Sequence, residues 1–497
     1  MAPITNGGSG KPSGGMSKSE IEKTGSGWTV SIPGTVIVLP IWRVAIVALT
    51  AIGALAIALV PPPAGAAPHT MVALGLIAMT VALWATMAIP QPAASLLFVA
   101  LIFLTGAAPM HAPVSGFASS SLWLVFGGLL IGTAAERTGF GRYVARRFLG
   151  GFRGSYASLI LGVIIGSTVL ALLVPSNMGR VAITVPVVMA LAKEAGYDIG
   201  SPGHFGLVLT VVIGNFSVAQ GVMSGNLLNM MIVGAGETLY RLNITYMHWL
   251  VLCAPVLGLV KAWIVWRTVL WMYPAPTPRS VPTDDQPEIL SPQARRVGII
   301  LCFAILLWAT DFLHGIKPGW VALAAGMLCL VPGIGVLPPK EIFNTRRLLI
   351  IFWVGTVLSL AAVLTESGGS KLISGAIVDL AGIEGQSPFY GYFTIAYLSS
   401  LLAILSTFGG AVPTMAAAAA EISAATGLPL ETAVMAIAPG MSAIFFPYIA
   451  APIVVGLMMG KVSQLRATSF TLITAAISCL VIVPLNAAWW WLLGAMG

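Results

Sequence analysis

Two short polar breaks, Ser176-Asn177-Met178-Gly179 and Ser406-Thr407-Phe408-Gly409, interrupt stretches hydrophobic enough to lie within a bilayer, and they stand 230 residues apart. Hydrocarbon offers no partner to a backbone N–H or C=O freed from a helix. Such a break therefore persists only where protein or a water-filled cavity receives it. A single kink is explained by packing, because Pro and Gly commonly bend membrane helices. Two kinks at matched positions in the two halves of a chain point instead to the central binding site of a transporter.

The rest of the chain fits an all-α polytopic membrane protein. Of its 497 residues 58% are hydrophobic and 8% charged, with a mean hydropathy of +0.95, whereas a soluble domain carries about a quarter charged residues. The net charge of +8 would suit nucleic acid on a soluble protein. Here Lys and Arg cluster between apolar runs, as topology-setting charges do, and no nucleic-acid partner is expected. The five histidines are scattered and the apolar core holds no paired carboxylates, so the chain does not read as an enzyme. It has no Gly-rich phosphate loop for ATP-driven pumping. Cys253, Cys302, Cys329 and Cys479 lack metal-ligand spacing and read as buried small hydrophobes.

The chain repeats itself. Leu83-Trp84-Ala85-Thr86 recurs as Leu307-Trp308-Ala309-Thr310, and Ala134-Ala135 before Gly139 recurs as Ala361-Ala362 before Gly368. The breaks follow in both halves, with the offset growing from 224 to 227 to 230 as small insertions would produce. Residues 1–36 read as a disordered cytoplasmic N-terminus and 37–70 hold the first span. Residues 71–272 form the first repeat, 273–296 a Pro-rich cytoplasmic linker and 297–497 the second repeat.

Arg137, Arg142, Arg146, Arg147 and Arg153 mark one cytoplasmic loop. Arg279, Arg295 and Arg296 mark another, Lys340, Arg346 and Arg347 a third, and Lys461 and Arg466 a fourth. The Lys- and Arg-free segments 61–70 and 107–120 face outward. Tracing between them gives about 11 transmembrane helices, with the N-terminus inside. The first repeat then holds five spans, so the second enters the membrane inverted.

Two segments do not fit as ordinary spans. In 155–192, the arm Val181–Ala192 after the break would be only about 18 Å of helix, short of the roughly 30 Å hydrocarbon core. It predicts a re-entrant hairpin open to the cytoplasm, and 387–425 predicts its outward-facing counterpart. Each hairpin precedes an overlong apolar run, 205–233 and 432–460. These are broken at Ser224-Gly225-Asn226 and Phe446-Pro447-Tyr448 and read as discontinuous helices.

This pattern resembles the divalent anion/sodium symporter family, whose members carry dicarboxylates, citrate or sulfate, over about residues 71–490. Pro175-Ser176-Asn177-Met178-Gly179-Arg180 is similar to the family's Pro-Ser-Asn-Thr-Ala-Arg variant. Ser406-Thr407-Phe408-Gly409 matches its second tip more loosely. Met178 and Phe408 stand where the family has threonine, and Thr407 where it has asparagine. The family's Thr-Pro-Pro-Asn loop is matched by Asn226-Leu227-Leu228-Asn229, in its last residue alone. The resemblance implies a secondary active transporter of small divalent anions, acting as a homodimer in the cell inner membrane. Its hairpins and broken helices would move like an elevator against the remaining spans.

A helix that starts at mid-membrane presents free N–H groups and a positive dipole end to an anion. Ser176, Asn177, Met178, Gly179, Arg180, Ser406, Thr407, Phe408 and Gly409 are therefore the candidate substrate-binding residues. Short hydroxyls and amides suit carboxylate or sulfate oxygens. Sodium is the coupling ion that the resemblance implies. Its carbonyl-rich sites would fall at Ser176, Asn177 and Gly225 in one half and at Thr407 and Ala450 in the other.

A charge at the bilayer centre costs at least ~2.5–3.5 kcal/mol, so Arg180 needs a reason. It either grips the cargo bidentately, stands in for a cation and makes the protein a sodium-independent exchanger, or pairs with a carbonyl or with Glu194. Lys261 either snorkels or faces the bundle. Trp489–Trp491 reads as an aromatic belt, and Glu136 and Glu366 as interfacial caps or pairs.

Overall fold

The structure is a computed structural model and describes residues 21–24, 27–31, 38–63, 65–149, 152, 154–279 and 290–497. The expectation of disorder for 1–36 lies mostly outside these residues. The described parts Ile21–Thr24 and Gly27–Ser31 pair antiparallel, and Val38–Pro40 continues the ribbon to the first helix. Much of the expected linker, residues 280–289, also lies outside the described set.

Everything beyond is helical. Ile41–Ala58, Thr70–Thr86, Gln91–Thr105 and Ser120–Arg137 lead to the first hairpin, Tyr156–Leu173 with Asn177–Glu194. The first broken helix, Pro202–Ser217 with Leu227–Tyr240, and the span Tyr246–Met272 complete the first half. Pro292–Ala309, Pro318–Leu328 and Thr345–Glu366 open the second half. The second hairpin, Pro388–Thr426, follows, then the second broken helix, Leu430–Met441 with Ala451–Met459, and the last span, Gln464–Leu492. Among the described residues eight helices are long and apolar enough to cross a membrane, two of them belonging to the hairpins. The other expected spans are shorter, bent or broken.

Helix entries are written into the sequence. Ser119, Ser155, Ser201, Thr245, Ser291, Asn344 and Ser463 each accept a first-turn N–H, satisfying a donor that the helix itself leaves unpaired. Small residues set the closest crossing. A Cβ on Gly127 would lie 2.1 Å from the Ala322 carbonyl oxygen, and one on Gly319 1.9 Å from that of Ser120. Ser120–Arg137 and Pro318–Leu328 therefore touch backbone to backbone.

Polar contacts gather at two sets of helix ends, which the charge trace assigns to opposite faces. On the predicted cytoplasmic side Arg137 and Arg347 both pair with Glu341, and Arg296 donates to the Gly333 carbonyl at 3.1 Å. The Arg279 N–H reaches the Ala195 carbonyl at 3.1 Å. On the opposite side Glu366 lies 3.6 Å from His111, and the Thr70 hydroxyl donates to Ser367 at 2.6 Å. Glu237 there pairs with Lys317 at 2.6 Å.

Two expectations change and one open alternative is decided. Trp490 is fully buried and Trp489 and Trp490 donate to the Val251 and Leu252 carbonyls, which leaves Trp491 as the exposed ring of the supposed belt. Cys253 and Cys329 are buried as expected, but Cys302 is exposed and Cys479 half-buried. Lys261 is buried in the bundle and does not snorkel.

Candidate functional site

The first hairpin turns where proline requires it. Pro175 pushes the residue before it out of the α region, and Val174 is extended (φ −121°, ψ 96°). Ser176 is extended as well and accepts the Gly179 N–H at 3.1 Å, so a new helix starts at Asn177. A Cβ on Gly128 would meet the Pro175 carbonyl at 3.0 Å, and one on Gly132 the Ser176 Cβ at 3.2 Å. Both glycines lie inside Ser120–Arg137, so the tip packs against that helix between its ends. The expected twelve-residue arm Val181–Ala192 is in fact the eighteen-residue helix Asn177–Glu194, because Ser176 caps it at the tip and Arg180 turns inward.

Arg180 is fully buried. Its Nη1 donates to the Val174 carbonyl at 2.7 Å, and its Nη2 to the Gly225 carbonyl at 2.6 Å and the Asn215 carbonyl at 3.0 Å. Nη2 also donates to Asn177 Oδ1, while Nε has no partner. One guanidinium thus fastens the hairpin tip to both sides of the first helix break. Glu194 takes no part. Asn177 Nδ2 donates to Asn226 Oδ1 at 3.0 Å, and Asn226 caps the Leu228 N–H at 3.2 Å. Asn229 Nδ2 gathers the Ala219, Gln220 and Val222 carbonyls at 3.2, 3.1 and 2.8 Å. The opening therefore spans 218–226, longer than Ser224-Gly225-Asn226, with its freed carbonyls met by side-chain donors as buried backbone requires.

The second tip is built differently. Thr407 has φ +58° and ψ −179°, a conformation that a non-glycine residue adopts at a cost of about 1–3 kcal/mol and that clusters at functional sites. Ser406 Oγ donates to the Leu402 carbonyl at 2.8 Å. A Cβ on Gly409 would lie 3.2 Å from the Trp353 ring and 3.6 Å from Trp84. Trp353 lies inside Thr345–Glu366, so this tip too packs against a helix between its ends. The Phe408 ring stacks on Phe216 at 5.6 Å and 11°, and Asn226 Nδ2 reaches the Phe216 carbonyl at 3.5 Å. Phe216 thereby connects the second tip to the network of the first.

The second break opens earlier than Phe446-Pro447-Tyr448, at Ser442, and lasts until Ala450. Gln220 Nε2 donates to the Met441 carbonyl at 3.0 Å, Lys261 Nζ to the Ser442 carbonyl at 2.9 Å, and Tyr448 Oη to Ile404 in the second hairpin at 3.0 Å.

Ser176, Asn177, Arg180 and Gly225 thus share one network, and Phe408 joins it through Phe216. Met178 and Gly179 are the more open residues of the first tip, with Met178 40% exposed. Ser406, Thr407, Phe408 and Gly409 are buried, and among the described residues no hydrogen bond joins Thr407 to Ala450. At the first implied sodium site the Gly225 carbonyl and Asn177 Oδ1 already accept from Arg180 Nη2. No group of three His, Cys, Asp or Glu side chains suited to a metal occurs among the described residues. Sequence reasoning missed Gln220, Asn226 and Asn229 as donors to freed carbonyls. Their signal was an amide inside an overlong apolar run.

Comparison with known proteins agrees with this architecture. Residues 41–496 match the sodium:sulfate symporter transmembrane region. A membrane protein of Cupriavidus necator is 26% identical, the match covering 78% of each chain. The L-tartrate/succinate antiporter of Escherichia coli K12 is 24% identical over 68% of this chain and 72% of its own. The crystal structure of the Alcanivorax borkumensis YdaH transporter superposes with a TM-score of 0.52 at 13% identity, covering 91% of this chain and 98% of that one. At that identity the likeness speaks for the fold alone.

Proposed function

The chain belongs to the sodium:sulfate symporter family of multi-pass membrane transporters, and on that premise we propose that it exchanges small di- or tricarboxylates across the inner membrane without sodium. The observation that carries this reading is Arg180, whose guanidinium donates to the Val174, Asn215 and Gly225 carbonyls. Carbonyls of unwound backbone are what a coupling sodium ion binds in such folds. A covalently held cation there supplies the same positive charge and cannot be released. The cargo carboxylates bind at the free N–H groups of the two helix starts, beside Ser176, Asn177 and Gly179 in one half and Ser406, Thr407, Phe408 and Gly409 in the other. Fixed donors of this kind cost no reorganisation when the anion arrives. The antiport named for the Escherichia coli relative supports the same reading.

Sodium-coupled symport, with an ion held by Thr407 and Ala450, is the competing reading. In the proposed mechanism the hairpins and broken helices carry the cargo as one body against the other spans of a homodimer, with the N-terminus inside. Glu237 bears on this motion. It lies at the outer end of the first broken helix, pairs with Lys317 and accepts from the Ser119 and Ser120 hydroxyls at 2.8 and 2.9 Å. That cluster must part if the body travels.

The test is exchange itself. Proteoliposomes loaded with labelled succinate should release it when unlabelled succinate or tartrate is outside and retain it when the outside holds buffer alone. Equal release in both conditions would point to uniport, and no release in either would remove carboxylates as cargo.

A further inference from the structure

The second helix break has its own buried cation, supplied by a helix outside the hairpins. Lys261 is 1% exposed, and its Nζ donates to the Ser442 carbonyl at 2.9 Å and to the Ser478 hydroxyl. Ser442 is the first residue of the opened backbone between Met441 and Ala451. Among the described residues no carboxylate pairs with Lys261. The local backbone is arranged around this contact. Lys261 follows a π-helical stretch, Ala254–Val260, and Ser478 begins another, Ser478–Ile482. Wide turns of this kind are rare inside helices and recur at functional sites. A lysine inside an apolar bundle is costly and marks function by default.

Arg180 and Lys261 thus stand in parallel roles, one donating to the Gly225 carbonyl of the first break and the other to the Ser442 carbonyl of the second. They come from different elements, and Lys261 has no basic counterpart at its break in the hairpin sequence Ser406-Thr407-Phe408-Gly409. We propose that Lys261 is the second fixed cation of the transport site, holding the opened backbone of the second helix break and supplying the positive charge that the far carboxylate of a dianion requires. This rests on the reading of the tips as a carboxylate site. In that role Lys261 is a positioning residue, since it acts on the cargo through the charge and shape of the break.

A charge and a mere hydrogen bond make different predictions. A point charge favours a dianion over a monoanion of the same shape, because the second carboxylate adds its own Coulomb attraction. A structural hydrogen bond favours neither. Exchange of succinate and of its half-amide, succinamate, should therefore be measured in proteoliposomes for wild type, Lys261→Arg, Lys261→Gln and Lys261→Met. Loss of the charge in Lys261→Gln and Lys261→Met should raise KM about tenfold for succinate and by clearly less for succinamate, which lacks one of the two attracted charges. Lys261→Arg should keep the wild-type ratio, which also guards against loss of fold. If Lys261→Gln leaves the KM ratio at its wild-type value, the lysine is a packing donor and the proposal fails while the carboxylate site stands. If wild type moves neither anion, the reading of the tips fails first.

Discussion

Replacing Arg180 by alanine is expected to abolish exchange, lowering succinate counterflow at least about a hundredfold, while the protein is still inserted and extractable from membranes. The substitution removes the one group that joins Val174, Asn177, Asn215 and Gly225. Each buried acceptor left without a donor costs about 1–3 kcal/mol, so stranding three of them, at about 3 kcal/mol or more together, weakens the assembled site by at least about a hundredfold at about 1.4 kcal/mol per decade. Much of the remaining fold does not depend on Arg180, because the helix crossings are made by close glycine and apolar contacts elsewhere. Arg180→Lys should rescue little, since a lysine is a compact point charge that lacks the planar fork needed to reach three carbonyls in different directions. Counterflow rates together with a thermal melt in detergent measure both halves of this expectation. A stable Arg180→Ala protein with normal rates would mean that the guanidinium only packs.

Gly179→Val is expected to raise KM for succinate by about ten- to a hundredfold with little change in melting temperature. Gly179 sits in the first turn of Asn177–Glu194, where its N–H already meets Ser176 Oγ. A Cβ there meets only Ser176, at 3.3 and 3.5 Å, so alanine should be nearly silent. Valine adds branched methyls over the free N–H groups without entering the protein core. Losing a charge-assisted hydrogen bond of about 1.5–3 kcal/mol corresponds to that range in affinity at about 1.4 kcal/mol per decade. The pair of variants separates backbone approach from packing. If alanine and valine behave alike in KM, the cargo does not come to this helix start.

Much of this arrangement could be read from the chain because membrane physics leaves few options. The hairpin tips were visible as polar breaks in apolar runs, and the inverted repeat followed from an odd number of spans between positive loops. Arg180 stood out because a mid-membrane charge is costly. What it touches was not legible, since its partners are carbonyl groups that every residue carries. The length of the second arm was misjudged for a related reason. Arg180 looked like an end to the apolar helix, whereas its burial against backbone lets the helix run from Asn177 through Pro186 to Glu194. The early opening of the second break at Ser442 was announced by Pro439-Gly440, a breaker pair that the more conspicuous Phe446-Pro447-Tyr448 overshadowed, and its first carbonyl accepts from Lys261, 181 residues away in sequence. The tryptophans 489–491 were misread because alternating exposure around one helix turn cannot be told from a run of three like residues.

The most direct measurement is succinate counterflow in proteoliposomes with sodium replaced on both sides by choline. If Arg180 is the resident cation, the initial rate and KM should be unchanged between sodium and choline. A rate that collapses in choline and returns with millimolar sodium would contradict this, and would place a mobile ion where the guanidinium was assigned.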